Sequence, residues 1–249
     1  MEKTTTYDYP TRIFHWLFAL LFFVAFAIAK LLDDDSPLFS YHMMAGLSLL
    51  FVLVLRIIWG IIGTTYARFN SFKLNPKELI LYGKQLLIGK TKRYLSHNPA
   101  SSYAALLMFA LTIGLGITGV NMALGYESEF FEEAHEIMAN LFLLTVVAHV
   151  VGIIYQHFSH KDSLWSSMLD GKKRSISGES GITSNRPFIA IIFLILSFSW
   201  MGYIYSNYDQ TTQTLALFGN QLQLGENEDG EHEGASYLEQ RRHEDDDDD

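Results

Sequence analysis

Four histidines in this chain stand where an imidazole needs a reason to be. His15, His42, His135 and His149 all fall inside or at the edge of long apolar segments. An ionisable side chain within a membrane-spanning helix is costly to bury and marks function. His135 and His149 are fourteen residues apart in one segment. That is close to four turns, so they share a helix face and stand about 21 Å apart along its axis. With the topology derived below, His42 lies level with His135 and His15 lies level with His149. Two imidazoles from facing helices at one depth are the usual axial ligands of a six-coordinate b heme held in a bundle. Two such pairs imply two non-covalent hemes and His15, His42, His135 and His149 as iron ligands.

Other residues fit the same chemistry. Arg56 follows His42 by fourteen residues and so drops to the level of His15 and His149 on the same face. An arginine fork suits a heme propionate. Arg12, one turn before His15, and His97, just before the third apolar segment, are candidates for the same role. For Arg12 and Arg56 the alternative is plain anchoring by the positive-inside rule. Gly46 is one turn from His42 and Ala139 one turn from His135. Small residues there make room for a flat macrocycle, or simply let helices approach closely.

The elements that must carry these residues are membrane helices. Hydrophobic residues make up 49% of the chain and charged residues 18%. The apolar stretches are 13–32, 41–63, 102–124, 134–158 and 187–205. Each is near the roughly 20 residues that cross a hydrocarbon core. None carries the polar stripe of a buried soluble helix. The first stretch lacks a small-residue cleavage site and reads as a retained span. Cysteine is absent, which excludes disulfides, iron–sulfur ligation and heme attached through thioethers.

Basic and acidic connections alternate. Lys3 and Arg12 precede the first span, and Asp33 to Asp35 follow it. The second loop carries Arg68, Lys73, Lys77, Lys84, Lys90, Lys92 and Arg93. The third loop, 126–133, has no Lys or Arg, and the fourth has Lys161, Lys172, Lys173, Arg174 and Arg186. The N-terminus is therefore expected to be cytoplasmic, with the acidic end of the chain on the other side. Asn75-Pro76 opens a short helix in the second loop. It fits the membrane surface or a soluble loop equally. Three regions result: a four-helix di-heme unit over 1–175, a linker and fifth span over 176–206, and an acidic, disordered tail over 207–249.

The ordered set of motifs resembles the bacterial cytochrome b561 family, which includes cytochrome b subunits of nickel–iron hydrogenases. Arg12-Ile13-Phe14-His15-Trp16 resembles the first-helix motif. His42 with Gly46, Arg56 and Trp59-Gly60 resembles the second. His97-Asn98-Pro99-Ala100 is similar to the entry of the third helix, and His135 and His149 match the paired ligands of the fourth. Met168, Gly171 and Lys172 resemble the segment that follows. The similarity covers roughly 7–175. It implies an all-α, integral membrane four-helix heme-binding bundle, here with a fifth helix. It further implies electron exchange with membrane quinone, and a periplasmic or membrane-bound redox partner.

The leading functional expectation is transmembrane electron transfer in the bacterial inner membrane, from or to quinol, with a periplasmic c-type cytochrome or other redox subunit. An anchor subunit of a larger oxidoreductase such as a hydrogenase is the alternative. Another class, metal-ion or proton transport, draws on the membrane histidines and on His232 and His243 among the carboxylates of the tail. No nucleic-acid partner is expected.

Overall fold

A computed structural model describes residues 2–33, 35–126, 128–160 and 166–225. Five long apolar helices cross it: α1 (Tyr9–Leu31), α2 (Ser40–Ile62), α4 (Pro99–Ala123), α5 (Glu129–His160) and α7 (Pro187–Ser206). They match the five expected spans, with ends that differ by a few residues. The starts have local causes. Asp8 caps α1 by accepting from Thr11 N, Asn98 caps α4 by accepting from Ser101 N, and both helices carry proline in the first turn. α5 begins within what reads as the third loop. Glu129 and Glu132 occupy its first turn, where carboxylates complement the helix dipole.

The helices pack as two hairpins. α1 lies against α2, and α4 against α5. The hairpins meet along α2 and α4, while α7 lies on the outside of α1 and α2. The core between them is aromatic. Phe142 of α5 is fully buried and meets Phe22 and Phe18 of α1, with ring centroids 4.2 and 6.1 Å away. Phe14, Phe18 and Phe109 extend the same cluster. Little else of α5 is buried: among the described residues only Phe142 and Thr145.

The basic end is a folded cap. Strand β1 (Lys3–Thr5) pairs antiparallel with β2 (Lys172–Arg174), aligning Thr4 with Lys173. The short helix α6 (Ser167–Asp170) leads into β2 through Gly171 at φ 75°. A Cβ there would run into Tyr7 O, and the Gly171 carbonyl accepts from Thr6 N and Tyr7 N. Helix α3 (Pro76–Leu87) is the helix expected after Asn75. Its Tyr82 is buried and accepts from Gln156 Nε2 of α5, whereas Ile80, Leu81 and Leu87 are exposed. An exposed apolar face beside Lys77 and Lys84 suits a helix lying on a leaflet.

Asp8 ties this end together. Its carboxylate is fully buried and accepts from Thr11 N, Trp59 Nε1 and Thr64 Oγ1. It thereby joins the start of α1 to the end of α2. Gly60 makes the neighbouring turn possible, since a Cβ there would overlap the Phe69 ring.

The expectation of a disordered tail from residue 207 is corrected over 207–225. Strands β3 (Tyr208–Asp209), β4 (Thr214–Leu217) and β5 (Asn220–Gln223) form an antiparallel sheet at the acidic end. Phe218 and Gly219 join β4 to β5 with φ of 50° and 84°, as a two-residue hairpin turn with positive φ at both positions requires. Leu215, Leu217, Leu222 and Leu224 alternate onto one face and pack against Met44, Leu47, Ala123 and Ile204. The disorder expected for 226–249 lies outside the described residues, as do His232 and His243.

Asp8→Ala removes a helix cap and leaves two buried donors without their acceptor. It is expected to cost about 2–4 kcal/mol. Thermal denaturation in mild detergent should show a clear fall in Tm, with Asp8→Asn milder because asparagine also caps. A change no larger than that of an exposed surface substitution would contradict the assigned role.

Candidate heme sites

At the acidic end the structure brings His42 of α2 and His135 of α5 together. Their ring centroids are 6.1 Å apart, with the planes at 63°. Each ring is oriented through Nδ1. His42 Nδ1 lies 2.8 Å from Ala25 O of α1. A carbonyl only accepts, so this nitrogen carries the proton and Nε2 keeps its lone pair. His135 Nδ1 lies 2.8 Å from Thr118 Oγ1 of α4. The Thr118 hydroxyl donates to Gly114 O at 3.1 Å, so it accepts from His135. His135 Nε2 is again the free lone pair. Holding one imidazole nitrogen so that the other can ligate is how proteins prepare histidine for a metal.

The space beside this pair differs from ordinary helix contacts. A Cβ on Gly116 would overlap Leu50, and one on Gly114 would press on Met138, so those glycines serve close packing. A Cβ on Gly46 would have no atom within 4 Å. Gly46 therefore borders open room one turn from His42.

At the basic end His15 of α1 and His149 of α5 lie within electrostatic range of each other. Arg56 is 3% exposed and enclosed by Phe14, Phe69 and Phe109, whose ring centroids lie 5.6, 5.3 and 5.9 Å from its guanidinium carbon. Such cation–π contacts are each worth about 0.5–2 kcal/mol. Its Nη2 donates to Ala67 O at 2.9 Å, while Nη1 is buried with no partner among the described residues. A buried guanidinium with an orphaned donor fits an anionic ligand.

His97 stands beside them, its ring 4.6 Å from Phe72 and 6.1 Å from Tyr7, and its Nδ1 3.0 Å from Ser96 Oγ. Burial, then the charges of Lys173 and Arg56 and the neighbouring His149, pushes its pKa down to about 3. It is a neutral hydrogen-bonding group rather than a cation at physiological pH. Arg12 faces elsewhere. Its Nε approaches Met168 O at 3.4 Å and its guanidinium lies over Tyr9, while Trp16 Nε1 donates to the same Met168 carbonyl. Arg12 thus fastens α1 to α6.

The structure gathers His42, His135 and Gly46 at one end, and His15, His149, Arg56 and His97 at the other. Sequence reading missed Thr118, Asp8 and Lys173. Thr118 gave no signal apart from lying on an apolar helix. Lys173 was read as part of a basic loop, yet it is 8% exposed. Phe142 was also missed, although it is the midpoint between His135 and His149.

Residues 6–171 match the family model described as prokaryotic cytochrome b561. A probable Ni/Fe-hydrogenase B-type cytochrome subunit of Rhizobium leguminosarum bv. viciae is 24% identical over 213 residues, covering 69% of this chain and 89% of that protein. No solved structure matches the chain. The family model spans most of the chain and includes both histidine pairs. The chain therefore belongs to the prokaryotic cytochrome b561 family, multi-pass membrane proteins that bind b-type heme and carry electrons.

Proposed function

We propose that this protein carries electrons across the bacterial inner membrane through two b hemes, one held by His42 and His135 and the other by His15 and His149. The observation that carries this reading is the pair of Nε2 atoms left free at the acidic end by the Nδ1 bonds to Ala25 and Thr118. Heme iron supplies reversible one-electron exchange. The chain supplies the rest. The paired imidazoles would hold the iron and leave it no open position, which favours electron transfer over ligand chemistry. Arg56, with His97 as a neutral donor, would receive the propionates of the basic-end heme. Gly46 leaves room for the macrocycle at the acidic end. With one heme at each depth of the bundle, charge would cross the bilayer in two short steps instead of one long one.

The exchanging partners follow from location. A carrier embedded in lipid meets quinone and quinol, and we assign electron exchange with that pool. The acidic end is assigned to the periplasm by the distribution of Lys and Arg. Asp33, Asp35, Glu129, Glu132, Glu133 and Asp209 gather there. A surface of one sign steers a basic soluble acceptor such as a c-type cytochrome. The hydrogenase cytochrome relative supports a second reading, a membrane anchor for a multi-subunit oxidoreductase. Co-purification of a redox subunit from the native host separates the two. Metal transport has less support, because among the described residues no three potential metal-ligating side chains converge.

The ligand assignment is tested by removing one imidazole at a time and recording reduced-minus-oxidised spectra. His42→Ala and His135→Ala should abolish one spectral component, and His15→Ala and His149→Ala the other. Thr118→Val should weaken the first component without abolishing it, by about 10–100-fold in heme retention. Identical losses from His135→Ala and His149→Ala would refute assignment by depth.

The docking role is tested by truncation after Gly225, which keeps the sheet and removes nearly half of the 27 acidic side chains. At low salt the truncated protein should reduce a basic cytochrome c more slowly than the full chain. The two should converge at high salt, because the Debye length falls to about 3 Å at 1 M. Equal rates at every salt concentration would leave the segment beyond Gly225 without a docking role.

A further inference from the structure

Lysines near a membrane helix normally reach into water and anchor the chain at the interface. Lys172 does so and is exposed. Lys173 does the opposite. It is folded inward, with Nζ donating to Ser96 O at 3.1 Å and lying 5.0 Å from the centre of the Tyr7 ring. Burying an ammonium is expensive unless a charge opposes it. Among the described residues no carboxylate lies within ion-pair distance of Lys173, the one such contact being that of Lys3 with Asp170 at the surface. Arg56 is buried in the same way, and its Nη1 has no partner among the described residues. Both cations act on His97. Asp8 is the carboxylate in electrostatic reach of Arg56, and its oxygens are already taken by Thr11, Trp59 and Thr64. Among the described residues the basic-end chamber thus holds two buried cations and no anion placed to meet them.

The fold spends several contacts on keeping Lys173 there. The β1–β2 ribbon sets it opposite Thr4. Thr6 N and Tyr7 N grip Gly171 O, two residues before it, at 2.8 and 3.1 Å. Arg93 Nη2 reaches Arg174 O on its other side.

We infer that Lys173 is a cofactor-binding residue: the β1–β2 ribbon presents its ammonium, alongside the Arg56 guanidinium, to the propionates of the heme held by His15 and His149. This rests on the two-heme reading above. Two cations against two carboxylates bring the chamber close to neutrality. They also raise the reduction potential of that heme, because positive charge disfavours the oxidised iron.

The test uses the full-length protein in detergent, with heme quantified before potentiometric titration. Lys173→Met should keep both hemes and move only the component lost in His15→Ala to lower potential. The expected fall in its ratio of reduced to oxidised heme at fixed potential is about tenfold, equivalent to about 59 mV for one electron. Lys173→Arg, which keeps the charge, should stay near the parent value. If Lys173→Met fails to load the basic-end heme, Lys173→Arg must load it and Lys173→Gln must not. Two hemes with both potentials unmoved in Lys173→Met would overturn the inference, as would equal loading by Gln and Arg where Lys173→Met fails to load. A parent protein with no basic-end heme would instead remove the two-heme reading beneath it.

Discussion

Inside a bilayer no water relieves an unpartnered polar group, so every ionisable side chain there must be satisfied by the protein or by what the protein binds. This constraint orders the whole molecule. His42 and His135 each have one nitrogen satisfied, by Ala25 and Thr118. Arg56 is enclosed by three phenylalanines and spends one nitrogen on Ala67. Asp8 is buried completely yet has a donor on each side. Unspent beside these contacts are the Nε2 atoms of His42 and His135 and, among the described residues, Nη1 of Arg56. A ferric or ferrous porphyrin with two carboxylates uses both kinds.

The scaffold that holds these groups is simple. Two hairpins, α1 with α2 and α4 with α5, face one another, and each histidine pair is drawn from both hairpins. Fourteen-residue spacing along α5 keeps His135 and His149 on one face, and Phe142 lies midway between them. Its ring fits into the aromatic cluster of α1 and α4, joining the hairpins at mid-depth and keeping the two sites apart. Among the described residues of α5 only Phe142 and Thr145 are buried, so Phe142 is a principal contact fixing its position. At the basic end the β1–β2 ribbon, α6 and the Asp8 network close the bundle. At the acidic end the leucine-faced sheet of 208–223 does so.

Much of this was legible in the sequence because membrane helices announce themselves by length and apolar content, and because a helical period turns spacing into geometry. The five spans, the level of each histidine and the inward face of Arg56 follow from those two facts. Arg12 shows the limit. It has the same charge and a similar depth to Arg56, but its partner is a backbone carbonyl of Met168, which no periodicity reveals. Lys173 shows another. Its sequence context is a basic loop, and only the pairing of β1 with β2 turns it inward. The sheet was missed for a local reason. The alternation of Leu215, Leu217, Leu222 and Leu224 around Phe218-Gly219 is a hairpin signal, but it sits beside a strongly acidic run that dominates the composition of the chain's end.

The central claim is that one chain holds two hemes, stacked between two helical hairpins. The measurement that tests it most directly is the ratio of non-covalent heme b to polypeptide in protein purified in mild detergent, by pyridine hemochromogen absorbance against quantitative amino-acid analysis. A ratio near two is expected. A ratio near one would remove one histidine pair from heme binding, and a ratio near zero would contradict the account as a whole.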